Sequence, residues 1–426
     1  MSHAIISLIV LAIMAFIFVT DKLPLALTSM VGAAVLVLAG VIPVENLYSA
    51  FSGSTIVLLA AMMVIGSALF HTGIAEKMSD VIVKLTGTTE NGILLATVVV
   101  ATILSSICSG VAVVAMLLPI VIGISMKANV SVSRQLVPLA FAASFGCNLT
   151  LVGAASNVVV NGQLADLGAT PLTFLELGKV GLPISIFGII YFLTIGKKFM
   201  VQGDKSDRAY LMEFTGQSEE KKEKEFSSAK AGLCLVILAV VLVAMAWNNA
   251  KFPMHLVATV GALIMILTGC IKEQEAYKAI DWSTIFIVGG MSGVSKAMDV
   301  SGAAKMISNG AVALMGDSPS KLVVLFVIFI LTVFLTNIMM NTSTALLVTP
   351  LFIPIAIHLG INPTAIAVAI CVAASSPFLT PVGSGTNTLV VRPGNLGFMD
   401  FFKPGLGMTI VVTIISMIFI PIFWPL

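Results

Sequence analysis

The sequence predicts an all-α integral membrane protein with two inverted repeats, each of five spans plus one re-entrant hairpin, and with broken helices. Of the 426 residues, 58% are hydrophobic and only 10% are charged, whereas a soluble domain carries roughly 25% charged residues. Several apolar runs approach the roughly 20 residues of a spanning helix. The two halves of the chain also match one another in sequence.

A strongly polar stretch lies near the middle of the chain, at about residues 197–230. Residues 219–225 are all glutamate or lysine, which is typical of a solvated connector. We therefore predict inverted repeat 1 at residues 1–200, a cytoplasmic connector at 201–228 and inverted repeat 2 at 229–426.

Three segments match when the chain is shifted by about 230 residues. The first begins with Ser-Thr-Ile at residues 54–56 and 283–285, continues through Met62 and Met291, and is followed by amphipathic stretches that end at Gly87 and Gly316. The second aligns residues 104–119 with 335–350. The third and sharpest aligns 150–157 with 380–387. Such internal symmetry is typical of secondary transporters.

Each half is expected to contain an odd number of spans, which inverts the second half relative to the first. In the first half we predict spans at 3–19, 24–42, 54–73, 134–165 (interrupted) and 179–199, with a hairpin at 91–125. Placing both termini outside and the connector in the cytoplasm puts 17 of the 22 lysines and arginines on the cytoplasmic side. The positive-inside rule therefore supports the inverted layout in the cell membrane.

Residues 150–157 and 380–387 are rich in glycine and small polar residues, so we expect both to be helix breaks at membrane depth. Irregular backbone survives in a bilayer only where protein buries it or where it lines a cavity. Two breaks at equivalent positions therefore indicate a transport site. The alternative is a pair of glycine-rich helix-packing contacts.

The predicted hairpin tips are also polar. The first tip has Ser105, Ser106, Ser109 and Gly110, and the second has Thr336, Asn337, Asn341, Thr342, Ser343 and Thr344. Free amides at a helix N-terminus attract anions, and uncharged oxygens suit a hard cation such as sodium. Alternatively, the hydroxyls bond back to the preceding turn. Neither the tips nor the breaks contain an ionisable residue, which disfavours a proton relay.

Over nearly its whole length the chain resembles the divalent anion/sodium symporter family, within the ion transporter superfamily. The resemblance is carried by residues 150–162 and 380–391, and residues 392–406 resemble the family's sulfate-type permeases. It implies sodium-coupled symport of a small anion, of the sulfate or dicarboxylate class, by an elevator-type alternating-access mechanism. It also implies a homodimer in the lipid bilayer, with sodium as coupling ion and no cofactor. No basic tract interleaved with aromatic residues indicates nucleic-acid binding.

In that family a Ser-Asn-Thr motif at each hairpin tip meets a broken helix. Here the second tip keeps Asn341 and Thr342, whereas the first tip keeps only Ser109. The resemblance implies substrate binding by Ser109, Gly110, Asn157, Asn341, Thr342, Thr380, Pro381, Asn387 and Thr388. It implies sodium binding by Ser105, Ser109, Thr150, Asn157, Thr336, Asn341, Thr380 and Asn387, with the backbone near 149–150 and 379–380. The weaker first tip favours a smaller or less charged anion than a tri- or dicarboxylate.

Other functions remain open from the sequence. An anion exchanger, a proton-coupled carrier or an arsenite-type carrier of the same superfamily would share the fold. An anion channel would need a continuous polar pore, and an intramembrane hydrolase would need a nucleophile and a base. The sequence shows neither pattern, so we expect a transporter and not an enzyme.

Overall fold

The computed structural model describes residues 2–20, 22–72, 87, 89–201, 203, 206, 211, 228–247, 251–307, 309 and 320–426. These residues form a helical protein in which the described part contains no β-strand. The principal helices of the first half are α1 (His3–Thr20), α2 (Leu25–Leu38), α3 (Ser54–His71), α4 (Glu90–Ser105), α5 (Gly110–Lys127), α6 (Val132–Gly146), α7 (Ala155–Asp166) and α8 (Gly178–Tyr191). Those of the second half are α9 (Ser228–Ala246), α10 (Met254–Leu267), α11 (Trp282–Val300), α12 (Lys321–Thr336), α13 (Asn341–His358), α14 (Pro363–Ala374), α15 (Gly385–Gly394) and α16 (Phe398–Phe423).

Several of these helices suit a membrane by length and composition. Among the described residues, five are long and apolar enough to cross one: α3, α5, α13, α16, and α8 with its continuation to Phe199. Seven shorter apolar helices accompany them. The continuation of α8 passes through a π-helical turn at Phe192–Gly196.

The two halves have the same order of helices. In each half three helices precede a helical hairpin (α4–α5 or α12–α13), a broken helix (α6–α7 or α14–α15) and a final helix. Local features recur at equivalent places. Gly40 after α2 and Gly269 after α10 both adopt φ +70°, a left-handed conformation that glycine adopts without steric cost. Pro119 in α5 and Pro350 in α13 likewise correspond.

The final helices of the halves pack against each other in opposite directions. Trp424, after the end of α16, donates its indole N–H to Glu176, just before α8, at 3.0 Å. At the opposite end of this pair, the Tyr191 hydroxyl donates to the Pro404 carbonyl at 2.8 Å. Helices that occupy equivalent places in the two repeats are thus antiparallel, as inverted repeats require.

The helices form two groups. The scaffold group contains α1–α3 and α9–α11, in which α2 packs along α11 and α3 packs along α10. Glycines permit close approach: a Cβ on Gly290 would lie 2.5 Å from the backbone of Ser29. The hairpin group contains α4–α8 and α12–α16, where α5 packs on α15 and α13 packs on α7. Each hairpin therefore contacts the broken helix of the opposite repeat.

The structure corrects some predicted boundaries. The span expected at 24–42 ends at Leu38, followed by a turn at Gly40. The predicted helix breaks extend too far, because residues 155–157 and 385–387 are already first turns of α7 and α15. Gly316 and most of the connector at 201–228 lie outside the described residues.

Candidate transport site

The predicted tips and breaks meet in the hairpin group. In the first repeat, Thr150 of the break donates its hydroxyl to the Ser106 carbonyl at the hairpin tip. In the second repeat, the equivalent Thr380 donates to the Asn337 carbonyl at 2.7 Å. The same bond is therefore made twice, and it ties each break to the hairpin of its own repeat.

Glycine is required where each break touches its hairpin. A Cβ on Gly153 would lie 2.8 Å from the Ser105 carbonyl oxygen, and a Cβ on Gly383 would lie 2.9 Å from the Thr336 carbonyl oxygen. Both distances are below those that real Cβ atoms show. The glycines that the sequence places in the breaks thus allow the backbone of each break to lie directly on the end of a hairpin helix.

Asn157 and Asn387 occupy equivalent, fully buried positions in the first turns of α7 and α15. The Asn157 amide donates to the Cys147 carbonyl at 3.1 Å. The Asn387 amide donates to the carbonyls of Pro377 and Thr380 at 2.6 and 2.8 Å. The side-chain oxygen of each asparagine is buried without a hydrogen-bond partner. Both amides thus fasten a break, and both leave one uncharged oxygen free to accept another bond.

The second hairpin tip brings together three uncharged oxygens. Thr336 Oγ1 lies 3.1 Å from Asn341 Oδ1 and 2.6 Å from the Ala374 carbonyl oxygen. A hydroxyl has one proton and can donate to only one of these acceptors. The carbonyl that Thr336 reaches belongs to Ala374, the last residue of α14. The Leu379 amide donates to Asn337 Oδ1 at 2.8 Å.

The first hairpin tip is weaker. Ser105 occupies the position of Thr336, but its hydroxyl bonds back to the Thr102 carbonyl at 3.3 Å. Ser109 precedes α5, is exposed, and makes no capping bond with its side chain. Gly110 stands where the second tip has Asn341, and a Cβ there would lie 3.0 Å from the Ala143 carbonyl oxygen.

Hydroxyl pairs join the broken helices of the two repeats. Ser144 of α6 and Thr386 of α15 are 3.1 Å apart, and Ser156 of α7 and Ser375 after α14 are 3.5 Å apart. All four residues are buried. Sequence reasoning missed these contacts, although Ser156 and Thr386 are equivalent in the repeat alignment. The pairs bring the two broken helices into one unit.

The two breaks differ in exposure. Val382 in the second break is 69% exposed, whereas the equivalent Val152 in the first is 7% exposed. Thr388 is exposed, and its hydroxyl lies within hydrogen-bond distance of the carbonyls of Pro381 and Ser384, at 3.2 and 3.1 Å. The equivalent Val158 is 3% exposed. An open face of the second repeat is thus bordered by Thr388, Pro381 and the half-buried Thr342 and Thr380, while the break of the first repeat is buried.

Charged groups are absent from the tips and breaks. Among the described residues, no group of three or more His, Cys, Asp or Glu side chains could hold a metal ion. The cation ligands available at the site are therefore hydroxyl, amide and carbonyl oxygens.

A family model described as "Citrate transporter" (CitMHS) matches residues 15–338 and 243–425. The chain belongs to the citrate transporter family. This assignment confirms the expected class of carrier, and it makes the chain a transporter and not an enzyme.

The similarity of this citrate transporter family member to its relatives extends over most of its length. It is 22% identical to the uncharacterized transporter YfbS of Escherichia coli (strain K12), over 97% of this chain and 98% of the relative. It is 23% identical to the sodium-dependent dicarboxylate transporter SdcS of Staphylococcus saprophyticus, over 91% of this chain and 80% of the relative. Its fold is similar to the crystal structure of the YdaH transporter of Alcanivorax borkumensis, with a TM-score of 0.66 and 14% identity, covering 89% of this chain and 87% of that one.

Proposed function

We propose that this protein is a secondary active transporter that couples sodium to the symport of a small anion of the sulfate or dicarboxylate class. The observation that carries the proposal is the oxygen cluster of Thr336, Asn341 and the Ala374 carbonyl. Three close oxygens that share one proton suit an added hard cation, which prefers uncharged and carboxylate oxygens as ligands.

Two sodium sites follow from the repeat. The second comprises Thr336, Asn341, Thr380 and Asn387, and the first comprises Ser105, Ser109, Thr150 and Asn157. The unpaired side-chain oxygens of both asparagines support the assignment. The first site has no side-chain amide at its hairpin tip, so we expect it to bind sodium more weakly.

The anion is proposed to lie between the hairpin tips. Both α5 and α13 begin at a tip, with Gly110 and Asn341 as their first residues. The free amides and positive dipole end of each helix attract an anion. On one side the anion is bordered by Asn341, Thr342, Thr380, Pro381 and Thr388. On the other side it is bordered by Ser109 and Gly110, and Asn157 and Asn387 lie behind these residues. Bound sodium supplies the positive charge that side chains do not.

An elevator-type movement of the hairpin group against the scaffold group is the proposed mechanism. The unequal exposure of the two breaks supports it, because alternating access in inverted-repeat carriers is largely the movement of one helix bundle against the other, which opens one side at a time. In the proposed orientation the connector is cytoplasmic and the open second break faces inward. We further propose that the carrier is a homodimer in the cell membrane.

Uptake into proteoliposomes tests the proposal. Labelled succinate, sulfate and citrate are offered with an inward sodium gradient or with potassium at equal ionic strength. We expect sodium-dependent uptake of at least one divalent anion. Uptake that is indifferent to sodium would remove the coupling and favour an exchanger, a proton-coupled carrier or an arsenite-type carrier.

A variant pair adds a control to this experiment. Asn341→Ala removes the amide oxygen that lies next to Thr336, so we expect sodium-dependent uptake to fall by at least about tenfold, equivalent to about 1.4 kcal/mol of binding. Asn362→Ala removes an asparagine that caps α14 through the Thr364 amide at 3.0 Å, and we expect it to retain uptake. Equal activity of the two variants would contradict the role of Asn341.

A further inference from the structure

Basic side chains are concentrated at one end of the hairpin group, the end from which the connector leaves. Among the described residues this end carries two acidic residues, Glu90 and Asp400. It carries six basic residues, which we call the basic rim: Lys127, Arg134, Lys197, Lys198, Arg392 and Lys403. The rim therefore gives this end of the hairpin group an excess of positive charge.

No comparable excess occurs elsewhere in the part of the chain that the structure describes. At the opposite end of the hairpin group two acidic residues and two lysines balance: Asp166, Glu176, Lys179 and Lys321. At the connector end of the scaffold group three acidic residues accompany four lysines: Glu273, Glu275 and Asp281 with Lys22, Lys230, Lys272 and Lys278. The positive-inside rule applies to both groups alike, so it does not account for the excess on the hairpin group.

Contacts between helix ends hold the basic rim on one surface. Arg134 Nη2 lies 3.5 Å from the Lys197 carbonyl oxygen. The Ser133 hydroxyl donates to the carbonyl of the last residue of α15 at 2.9 Å, which brings the end of α15 to the start of α6. Residues 197–199 pack along α16, whose second turn carries Lys403. The lysines of residues 197–198 and Lys403 thus lie on adjoining helix ends.

The two carboxylates at this end are already engaged. Glu90 Oε1 lies 2.8 Å from Arg134 Nη1, and the Asp400 carboxylate accepts the Gly397 N–H at 2.8 Å at the start of α16. Lys198 and Lys403 are exposed, and among the described residues neither of them forms an ion pair. Charge complementarity therefore favours an anionic partner for these two lysines.

Large apolar side chains are exposed beside the same lysines. Phe199 follows Lys198 and is 48% exposed, and Phe398 begins α16 and is 49% exposed. The Phe398 and Phe402 rings stack with their centroids 5.7 Å apart. Rings at this position are typical of the level at which acyl chains meet head groups, and lysines reach from there to the phosphates. A small soluble anion would leave the rings in water, whereas a phospholipid covers them.

We infer that Lys198 and Lys403, together with Phe199 and Phe398, form a binding surface for an anionic phospholipid of the phosphatidylglycerol type. The two ammonium groups bind the phosphate, and the rings lie against the first carbons of the acyl chains. Phosphatidylcholine offers the same chains, but its choline group cancels the charge of its phosphate. The surface belongs to the hairpin group, and its occupation requires neither sodium nor the transported anion.

Thermal unfolding of the full chain in detergent micelles tests the surface. Dioleoyl phosphatidylglycerol is expected to raise the Tm by preferential binding to the folded state. Dioleoyl phosphatidylcholine lacks the net charge and glycerol 3-phosphate lacks the acyl chains, so neither is expected to raise the Tm at the same concentration. A rise with either of them that equals the rise with phosphatidylglycerol would overturn the inference, as would the absence of any rise with phosphatidylglycerol.

Variants locate the effect. Lys198→Gln combined with Lys403→Gln is expected to raise the phosphatidylglycerol concentration that gives half of the maximal shift by about thirtyfold, the effect of two lysines at an anionic surface. Lys198→Arg combined with Lys403→Arg keeps the charge and retains the shift. The matched control is Lys272→Gln combined with Lys278→Gln, which removes two exposed lysines from the same end of the scaffold group and leaves the half-maximal concentration unchanged.

Equal weakening by the two glutamine pairs would indicate a general attraction to basic residues and would refute a defined surface. An unchanged half-maximal concentration in the Lys198 and Lys403 pair would refute it as well. Because unfolding is measured without transport, this result is separable from any failure of the sodium-coupled function.

Discussion

Replacement of Asn387 by leucine tests whether Asn387 and the equivalent Asn157 contribute unequally to the stability of the folded protein. Leucine is similar in size, so the change removes hydrogen bonds and leaves little cavity. The Pro377 and Thr380 carbonyls lose their bonds of 2.6 and 2.8 Å. Each orphaned buried carbonyl costs about 2 kcal/mol, and removal of the unpaired Oδ1 returns about 2 kcal/mol. The net loss of stability is therefore about 2 kcal/mol.

The same reasoning gives a different result for Asn157. Its amide makes one bond, to the Cys147 carbonyl, and its side-chain oxygen is also unpaired. The loss of about 2 kcal/mol is then offset by a gain of about 2 kcal/mol, so Asn157→Leu is close to neutral. The two repeats, although equivalent in sequence here, are expected to respond differently to the same substitution.

A thiol-reactive fluorophore provides the assay, because Cys108, Cys147, Cys234, Cys270 and Cys371 are all buried and react only on unfolding. Per-residue unfolding entropies imply a fall in Tm of about 2 °C for a loss of 2 kcal/mol in a chain of this length. Both variants are heated at one scan rate, in sodium and in potassium. A fall for Asn157→Leu that equals or exceeds that for Asn387→Leu would refute the reasoning. If sodium raises the Tm of both variants as much as it raises that of the unsubstituted protein, the side-chain oxygens of Asn157 and Asn387 do not belong to the proposed ion sites.

Two other predictions concern movement and packing. The side-chain oxygens of Asp166 and Ser292 lie 3.5 Å apart, on different helix groups. Cysteines at these two positions are expected to stop uptake when they are oxidised to a disulfide and to restore it when they are reduced. Continued uptake by fully cross-linked protein would contradict the elevator movement. Gly290→Ala places a Cβ 2.5 Å from the backbone of α2, and is expected to cost about 1–3 kcal/mol by overpacking. Gly123→Ala, where no atom lies within 4 Å of the added Cβ, serves as its control, and equal melting temperatures would contradict the packing argument.

The fold could be predicted from the sequence because both of its signals can be read without knowing any tertiary contact. Apolar runs mark membrane helices, and the repeat register fixes which segments correspond. The first hairpin tip lies where the sequence predicts it, at residues 105–110, since α4 ends at Ser105 and α5 begins at Gly110. The ends of the breaks were less accurate. Glycines mark irregular backbone, but they do not show where the next helix begins, and Ala154 caps α7 without any side-chain bond.

The candidate site could be predicted only in part, because its chemistry depends on contacts between distant segments. Thr336 and Asn341 were expected at one site, and they do lie within hydrogen-bond distance. The Ala374 carbonyl could not be predicted, since a backbone oxygen leaves no sequence signal.

The difference between the hairpin tips follows from how the repeats pack. Gly110 occupies the place of Asn341, and a Cβ there would lie 3.3 Å from the methyl group of Thr386 as well as close to the Ala143 carbonyl. Thr386 is itself held by Ser144. The first turn of α15 thus occupies the space that a side chain at the first tip would need. An asparagine at position 110 would displace the contact that joins the repeats, so the first tip lacks an amide because the second break lies against it. The two proposed ion sites therefore differ in their ligands. The second hairpin tip offers a side-chain amide oxygen, whereas the first offers only hydroxyl and backbone carbonyl oxygens.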